Sequence, residues 1–293
     1  MAFADLLQYL VSGLVVGAIY ALIGLGYTGI YNVTRIVNFA QGDFAMLAAM
    51  LAIWLLEIGL ALPAAVVAAT ALVAVVGGLL HLLAIRPARA DEVTGIIITL
   101  GAGVFLQGFV LWLWGSDAKA MPAFSGEAPF LVLGAAIVPQ ALWVLGSSGA
   151  LMLLLHLFFG RTYLGKAFRA CAVNRTGATL MGIEVEQMGL LSFVLSGLVG
   201  AVAGIVVAPI VLARYDLGTM MGIKGFVACI LGGMGHPIGA VLGGFLLGIL
   251  ESLAAGLVSS GSKNAIAFLV MLVVLFVRPG GIFGEFERTE AGR

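Results

Sequence analysis

Long apolar runs, separated by short polar segments, dominate the chain. Because a membrane span needs about 20 apolar residues, eight of these runs are interpreted as membrane-spanning helices. They cover roughly residues 6–27, 43–60, 62–85, 95–114, 137–158, 190–213, 237–257 and 264–278. A further run, GFVACILGG from Gly225 to Gly233, is about half a span long and predicts a short or re-entrant helix. The alternation typical of β-barrel strands is missing. The pattern predicts a single-domain, all-α polytopic integral membrane protein over residues 1–293.

Composition supports the membrane class. Hydrophobic residues make up 62% of the chain and charged residues 10%, whereas soluble domains carry about 25% charged residues. The formal net charge is zero, so bulk charge gives no support for a nucleic-acid partner, and membrane lipid is the expected surrounding.

The distribution of Lys and Arg predicts an orientation, since these residues concentrate on the inner side of membranes. With the C-terminus inside and Gly225–Gly233 as a full crossing, most basic residues fall inside. The expected inner residues are Arg35, Arg86, Arg89, Arg161, Lys166, Arg169, Arg175, Arg278, Arg288 and Arg293. The expected outer residues are Lys119, Arg214, Lys224 and Lys263. A re-entrant Gly225–Gly233 gives a weaker split, but both arrangements place Arg161–Gln187 inside.

Two outer regions are predicted from this arrangement. Gly115–Ala136 contains two prolines and few helix signals, which favours an irregular external loop that is either a plain connector or a contact for an external partner. Asp216 and Lys224 bracket a short outer turn and are expected to form an external ion pair.

The most polar long stretch, Arg161–Gln187, predicts a helix, a capped kink and a second short helix. Asn174 is expected to cap the second helix by accepting from the N–H of Thr176 or Gly177, and Gly182 suits the left-handed position that ends a helix. On composition the stretch is either an ordinary basic loop or an element that docks into a groove of a soluble partner.

Polar residues inside the apolar runs are the candidate path residues. Asn38, Gln41, Gly42 and Asp43 either cap the following helix, starting at Asp43, or line a transport path, since backbone at membrane depth must be satisfied internally or face a wet cavity. Glu251 lies within GGFLLGILESLAAGL. It either has a structural partner, such as Ser192, Ser196 or a backbone group, or acts in the path or gate.

Glycine spacing predicts close helix packing. GxxxG occurs at Gly13–Gly17, Gly200–Gly204, Gly239–Gly243 and Gly244–Gly248, and this spacing lets helix backbones approach closely. The two offset rows in the last pair predict that one helix meets neighbours on two faces.

No catalytic or metal-binding constellation is found in the sequence. GGMGHPIGAVLGG lacks the Lys-Ser/Thr pair of a phosphate-binding loop, and no zinc-type His/Cys spacing occurs. We expect no catalytic residue, no metal site and no cofactor in this chain, so a machine driven by ATP needs another polypeptide.

Four segments together resemble permeases of branched-chain amino-acid ABC importers of the LivH type. GAIYALIGLGYTGIYNVTRIVNFAQGDFAMLAA (from Gly17) is similar to the family's N-terminal signature and LGKAFRACAVNRTGATLMGI (from Leu164) to its cytoplasmic loop. GIKGFVACILGGMGHPIGAVLGGFLLGILE (from Gly222) and VRPGGIFG (from Val277) are similar to its C-terminal region. The chain departs from the family's usual residues at Gln41 and His236.

The resemblance implies a permease subunit in a bacterial inner membrane, forming half of a path for branched-chain or related small amino acids. It implies a second permease of the LivM type, two ATP-binding subunits that bind ATP and Mg²⁺, and an extracytoplasmic substrate-binding protein. It also implies that the segment 161–187 couples to the ATPase. The expected coupling residues are Gly165, Arg169, Ala170, Asn174, Arg175, Ala178 and Gly182. Two alternatives stay open: an ATP-independent secondary transporter or channel, and an ABC permease for another solute such as urea or an amide.

Overall fold

Helices form nearly all of the regular structure. The computed structural model describes residues 3–88, 91–126, 128–257, 259, 261 and 263–284. In chain order the helices are α1 (Phe3–Thr34), α2 (Gln41–Glu57), α3 (Leu62–Leu80), α4 (Arg86–Ala88), α5 (Glu92–Trp114), α6 (Pro139–Arg161), α7 (Tyr163–Val173), α8 (Arg175–Leu180), α9 (Val185–Val207), α10 (Leu217–Gly232), α11 (Pro237–Leu257) and α12 (Lys263–Val277). A π-helical turn, His81–Ile85, joins α3 to α4.

The multi-pass membrane class is confirmed, but the count of about eight spans is not. Within the described residues, six helical runs have the length and apolar composition to cross a membrane. They are Ala4–Thr34, Leu62–Ala88, Glu92–Trp114, Pro139–Arg161, Val185–Val207 and Pro237–Leu257. The predicted spans 43–60 and 264–278 fall on α2 and α12, which have 17 and 15 residues.

Helix α2 lies in the centre of the bundle. It packs against α3, α9 and α10, and its residues from Gln41 to Met50 are all buried. A helix that is apolar on all sides is stable where other helices surround it. The connection from α1 turns back at Arg35, which has a positive φ of 61°, and so brings the start of α2 beside Gly26 of α1.

Glycines allow α1 and α11 to approach closely. A Cβ on Gly13 would lie 2.7 Å from the Cα of Ile249, and one on Gly244 would lie 2.5 Å from the backbone nitrogen of Ala21. Gly239 and Gly243 of the same helix instead face the backbone of α10. The two offset glycine rows of α11 therefore meet two different neighbours, as the spacing predicts.

The segment 115–136 is more regular than the sequence predicted. Strand β1 (Phe130–Val132) pairs antiparallel with β2 (Ala135–Ile137), and the Leu133–Gly134 turn between them has φ values of 51° and 87°. Positive φ at both central residues is typical of a tight hairpin turn, but Leu is an unusual residue in the first position. The Ala136 N–H donates to the Gln8 side chain at 2.8 Å, which ties the hairpin to the start of α1.

The predicted short helix begins earlier than the sequence indicated. Helix α10 starts at Leu217 rather than Gly225, so Lys224 lies inside it and is buried. The expected external pair of Asp216 and Lys224 is therefore wrong. Arg214 instead donates to Asp216 at 2.6 Å, and this hydrogen bond lowers the pKa of the Asp216 carboxyl.

Candidate functional site

The starts of α2 and α10 meet inside the bundle. A Cβ on Gly42 would lie 2.5 Å from the backbone nitrogen of Gly222, and one on Gly218 would lie 2.8 Å from the Cα of Asp43. Any side chain at these positions would push the two helix ends apart. The glycines in NFAQGDF and LGTMMG therefore allow the backbones of the two helix starts to touch.

A group of polar side chains surrounds this meeting point. We call it the polar junction, and its members are Asn38, Gln41, Asp43, Gln107 and Thr219. Asn38, Gln41 and Asp43 are buried, Gln107 is half-buried and Thr219 is exposed. Three of the four residues predicted at 38–43 thus belong to the polar junction, the fourth, Gly42, lies at the meeting point itself, and two polar residues come from other helices.

Gln41 fastens the start of α2 to α9. Its Nε2 donates to the carbonyl of Ser196 at 3.1 Å, and its Oε1 accepts from the Ser196 hydroxyl. The amide is therefore satisfied at both ends within the protein. Gly26 of α1 provides the space for this side chain, since a Cβ there would overlap it.

Asp43 does not cap α2. The N-cap residue is Ala40, which makes no side-chain capping bond. The Asp43 Oδ1 instead accepts from Gln107 Nε2 at 2.8 Å, and the same nitrogen donates to Thr219 Oγ1 at 2.9 Å. The interpretation of Asp43 as a helix cap is therefore wrong, and its carboxylate joins α2, α5 and α10.

The sequence analysis did not identify Gln107 and Thr219 as site residues. Gln107 is the single amide side chain in the apolar run GAGVFLQGFVLWLW, and a polar side chain at membrane depth is a signal for function. Thr219 carried no such signal, because its segment was assigned to an outer turn.

Glu251 has a buried partner, although not one that the sequence predicted. Its Oε1 accepts from Lys224 Nζ at 2.5 Å and its Oε2 accepts from the Tyr20 hydroxyl at 2.9 Å. The expected partners Ser192 and Ser196 donate instead to Gly189 and to Gln41. A charge that is costly in the bilayer is thus neutralised by a cation on the neighbouring helix.

The segment 161–187 folds as predicted into two helices with a capped kink. The Thr162 hydroxyl accepts from Gly165 N–H at 3.0 Å to start α7, and Asn174 Oδ1 accepts from Gly177 N–H at 2.8 Å to start α8. Gly182 has a φ of 81°, which is the left-handed conformation expected of it. Local capping hydrogen bonds therefore determine where the two helices of this segment begin.

One face of the segment packs against the bundle. Phe168, Cys171 and Ala178 are buried with Val33 and Met188 in one cluster. Gly165 is buried against the Phe158–Phe159 backbone, and Ala170 is half-buried. Leu164 has helical spacing with Phe168 but remains exposed.

The opposite face of the segment is exposed. Arg169 and Arg175 are exposed, and four large apolar side chains are 83–89% exposed. These are Tyr163, Val173, Leu180 and Met181. Exposed apolar and basic residues that project together are typical of a contact surface for another protein.

No metal site is formed in the described part of the chain. No three His, Cys, Asp or Glu side chains there are close enough to hold an ion. His81 lies near Glu186, with 3.8 Å between His81 Nε2 and Glu186 Oε1, and His236 stacks on the ring of Phe283.

Residues 9–277 match the family model described as branched-chain amino acid transport system / permease component. The permease LivH of Escherichia coli (strain K12) is 31% identical over 303 residues, covering 97% of both chains. The permease BraD of Pseudomonas aeruginosa is 34% identical over 298 residues, covering 96% of both chains.

Two further matches are more distant. The autoinducer 2 import system permease LsrC of Escherichia coli is 31% identical over 268 residues, which cover 88% of this chain and 75% of LsrC. Among solved structures, PsaBC from Streptococcus pneumoniae in complex with a Fab has a TM-score of 0.54 at 15% identity, covering 96% of this chain and 95% of that chain. At this identity the likeness concerns the fold alone.

Proposed function

Because the chain belongs to the family of branched-chain amino acid ABC transport permeases, we propose that it forms half of the membrane path for a branched-chain or related small amino acid. The match over residues 9–277 carries this proposal. LivH and BraD are named for high-affinity branched-chain amino acid transport, which favours that solute. LsrC is named for autoinducer 2 import, so the solute has to be tested directly.

We propose that the other half of the path is a second permease of the LivM type. Support comes from α5, which exposes large apolar side chains along most of its length, including Val104, Phe105 and Trp112. Polar Gln107 and Thr219 lie beside this apolar face. Polar groups at membrane depth need cover from protein or a wet cavity, and a second permease against α5 and α10 would provide both.

The path candidates of this half are Asn38, Gln41, Gly42 and Asp43. Their burial where α2 and α10 meet supports this proposal. For Glu251 we propose a structural role, since its carboxylate is held by Lys224 and Tyr20 on two neighbouring helices.

Two ATP-binding subunits would drive the transporter, and ATP and Mg²⁺ would bind there. We propose that the exposed face of the segment 161–187 docks on one of them at the inner side, with Arg169 and Arg175 pairing with acidic groups and Leu180 and Met181 entering a groove. The buried face, through Phe168 and neighbours, would transmit the movement of the ATPase to the bundle.

We propose that the bundle crosses a bacterial inner membrane with about eight spans. The shorter helices α2 and α12 would be the two crossings beyond the six long runs, and α10 the short or re-entrant helix. Helix α2 is short because it begins beside Gly26, inside the bundle. A soluble binding protein would deliver the solute at the outer side.

The experiment is purification of the chain in mild detergent with its partners, followed by uptake of labelled leucine into proteoliposomes with ATP enclosed. An ATPase that co-purifies, with ATP-dependent uptake, supports the proposal. Uptake by the chain alone with an ion gradient would favour a secondary transporter, and uptake of urea instead of leucine would favour another solute.

A further inference from the structure

Asp43 is a buried carboxylate without a cation. Its side chain lies in a residue that is 4% exposed, and the ion pairs of the described residues do not include it. The other deep carboxylate, Glu251, is paired with Lys224. An intramembrane ionisable group is a candidate functional site by default, and Asp43 has a hydrogen-bond partner but no cation to balance its charge.

The position of Asp43 is well within the membrane-spanning region. Its partner Gln107 lies about 22 Å from the start of α5 and about 10 Å from its end, at 1.5 Å per residue. A solute that crosses the membrane along α5 and α10 would therefore pass this point before it leaves the path.

Three hydrogen-bond acceptors remain available at this place. Asp43 Oδ2 and Gln107 Oε1 accept no hydrogen bond from any described residue. Thr219 Oγ1 accepts once, from Gln107 Nε2, and has a second lone pair. Both N–H groups of the Gln107 amide are used in orienting the other two residues.

This arrangement complements an ammonium group. An –NH₃⁺ group has three N–H donors and no acceptor, which matches a set of side chains that offers acceptors and no free N–H donor. The hydrogen bond to the Asp43 carboxylate would be charge-assisted, which is the strong kind. An anionic or purely apolar group would leave the carboxylate unpaired.

Apolar side chains lie beside the three acceptors. Val104 and Leu111 are three and four residues from Gln107, and both are exposed on the same face of α5. Met220 follows Thr219 and is 47% exposed. A solute with an ammonium group and a branched aliphatic side chain would find partners for both parts.

We propose that Asp43, Gln107 and Thr219 recognise the ammonium group of the transported solute within the membrane and so contribute to selectivity after release from the binding protein. This inference rests on the proposed function and deepens it. It assigns two residues, Gln107 and Thr219, that the sequence did not indicate.

The test uses the complete transporter, with its partner subunits and binding protein, in proteoliposomes that contain ATP. Uptake of labelled leucine is measured for the wild type, Asp43→Asn, Asp43→Glu and Thr219→Val, with Glu92→Gln as a control that removes an exposed carboxylate from the same bundle. ATP hydrolysis stimulated by loaded binding protein is measured in parallel.

We expect Asp43→Asn to reduce leucine uptake by about tenfold or more, because it removes the charge from the hydrogen bond. Co-purification of the ATPase should persist, so more ATP is hydrolysed per leucine, and Asp43→Glu should restore part of the uptake. Because Thr219 is exposed, Thr219→Val should fold normally. The loss of its hydroxyl should raise the KM for leucine uptake.

Two results would overturn the inference, and they separate it from the proposed function. If the wild type imports leucine and both Asp43→Asn and Thr219→Val remain within about twofold of it, ammonium recognition is refuted and the amino-acid permease stands. If the wild type imports urea and not leucine, both the proposed solute and the ammonium site are refuted.

Discussion

The guanidinium of Arg35 donates to the backbone carbonyl of Ala172 at 3.0 Å. This bond joins the end of α1 to the last turn of α7, where carbonyls lack helical partners and favour a cation. Arg35 also begins the connection that leads to Asn38 and Gln41. A displacement of α7 can therefore reach the polar junction through one short stretch of backbone.

Loss of the Arg35 side chain should weaken coupling without preventing insertion. In Arg35→Ala we expect ATP hydrolysis to continue while leucine uptake falls, by roughly fivefold, because the hydrogen bond is exposed and contributes about 1 kcal/mol. The measurement is the ratio of ATP hydrolysed to leucine imported. Arg278→Ala, which removes an exposed cation just after α12 and outside the segment 161–187, should leave that ratio unchanged.

Substitution of the exposed apolar residues should separate the permease from its ATPase. Leu180 is 83% exposed, so Leu180→Asp should not disturb folding, but it would place a charge in the proposed groove. We expect the yield of co-purified ATPase to fall by about tenfold, given that central apolar contacts can carry 2 kcal/mol or more. Arg169→Glu should also lower the yield of co-purified ATPase. A complex that stays intact in both variants would contradict docking through this face.

Removal of one partner of the Lys224–Glu251 pair should destabilise the protein more than replacement of both partners. Glu251→Gln leaves a buried ammonium without its carboxylate, which should lower the free energy of unfolding by about 3–5 kcal/mol. The double variant Lys224→Met, Glu251→Leu should recover most of the loss. Thermal unfolding in detergent, analysed as a double-mutant cycle, measures the coupling. Additive effects of the two single variants would rule out a direct pair.

Close packing of α1 and α11 predicts strong sensitivity to added volume. Gly244→Leu would push against the backbone at Ala21, and overpacking costs typically 1–3 kcal/mol or more. Gly101 of α5 has open space around its Cα, so Gly101→Leu is the matched control. Fluorescence-detected size-exclusion chromatography should show loss of folded protein for Gly244→Leu and not for Gly101→Leu.

The sequence predicted best where local chemistry decides the structure. Asn174 and Gly182 determine a cap and a helix end through neighbouring backbone groups, and both were predicted correctly. Lys224 was misplaced because hydropathy treats each residue alone, whereas its burial depends on a carboxylate 27 residues away. Gln107 and Thr219 meet across 112 residues, and only the assembly of the whole bundle, in which both α5 and α10 contact α2, brings them together.

Native Cys171 should react slowly with thiol reagents from either side of the membrane. It is 1% exposed, and burial raises the pKa of its thiol. The thiolate is the reactive form, so labelling at neutral pH should be slow and should rise as pH approaches the raised pKa. The rate of maleimide modification from pH 6 to pH 9, with denatured protein as the reference, checks this.

The most direct test of the coupling account is the sidedness of the segment 161–187. Val173 is 86% exposed beside the buried Cys171, so Val173→Cys gives a reactive thiol there, and the wild type gives the background. The variant is expressed without the ATPase subunits and treated with an impermeant maleimide. We predict modification in inside-out vesicles and none in spheroplasts with an intact inner membrane. Ready modification in the intact spheroplasts would place this face outside and contradict the docking of an internal ATPase.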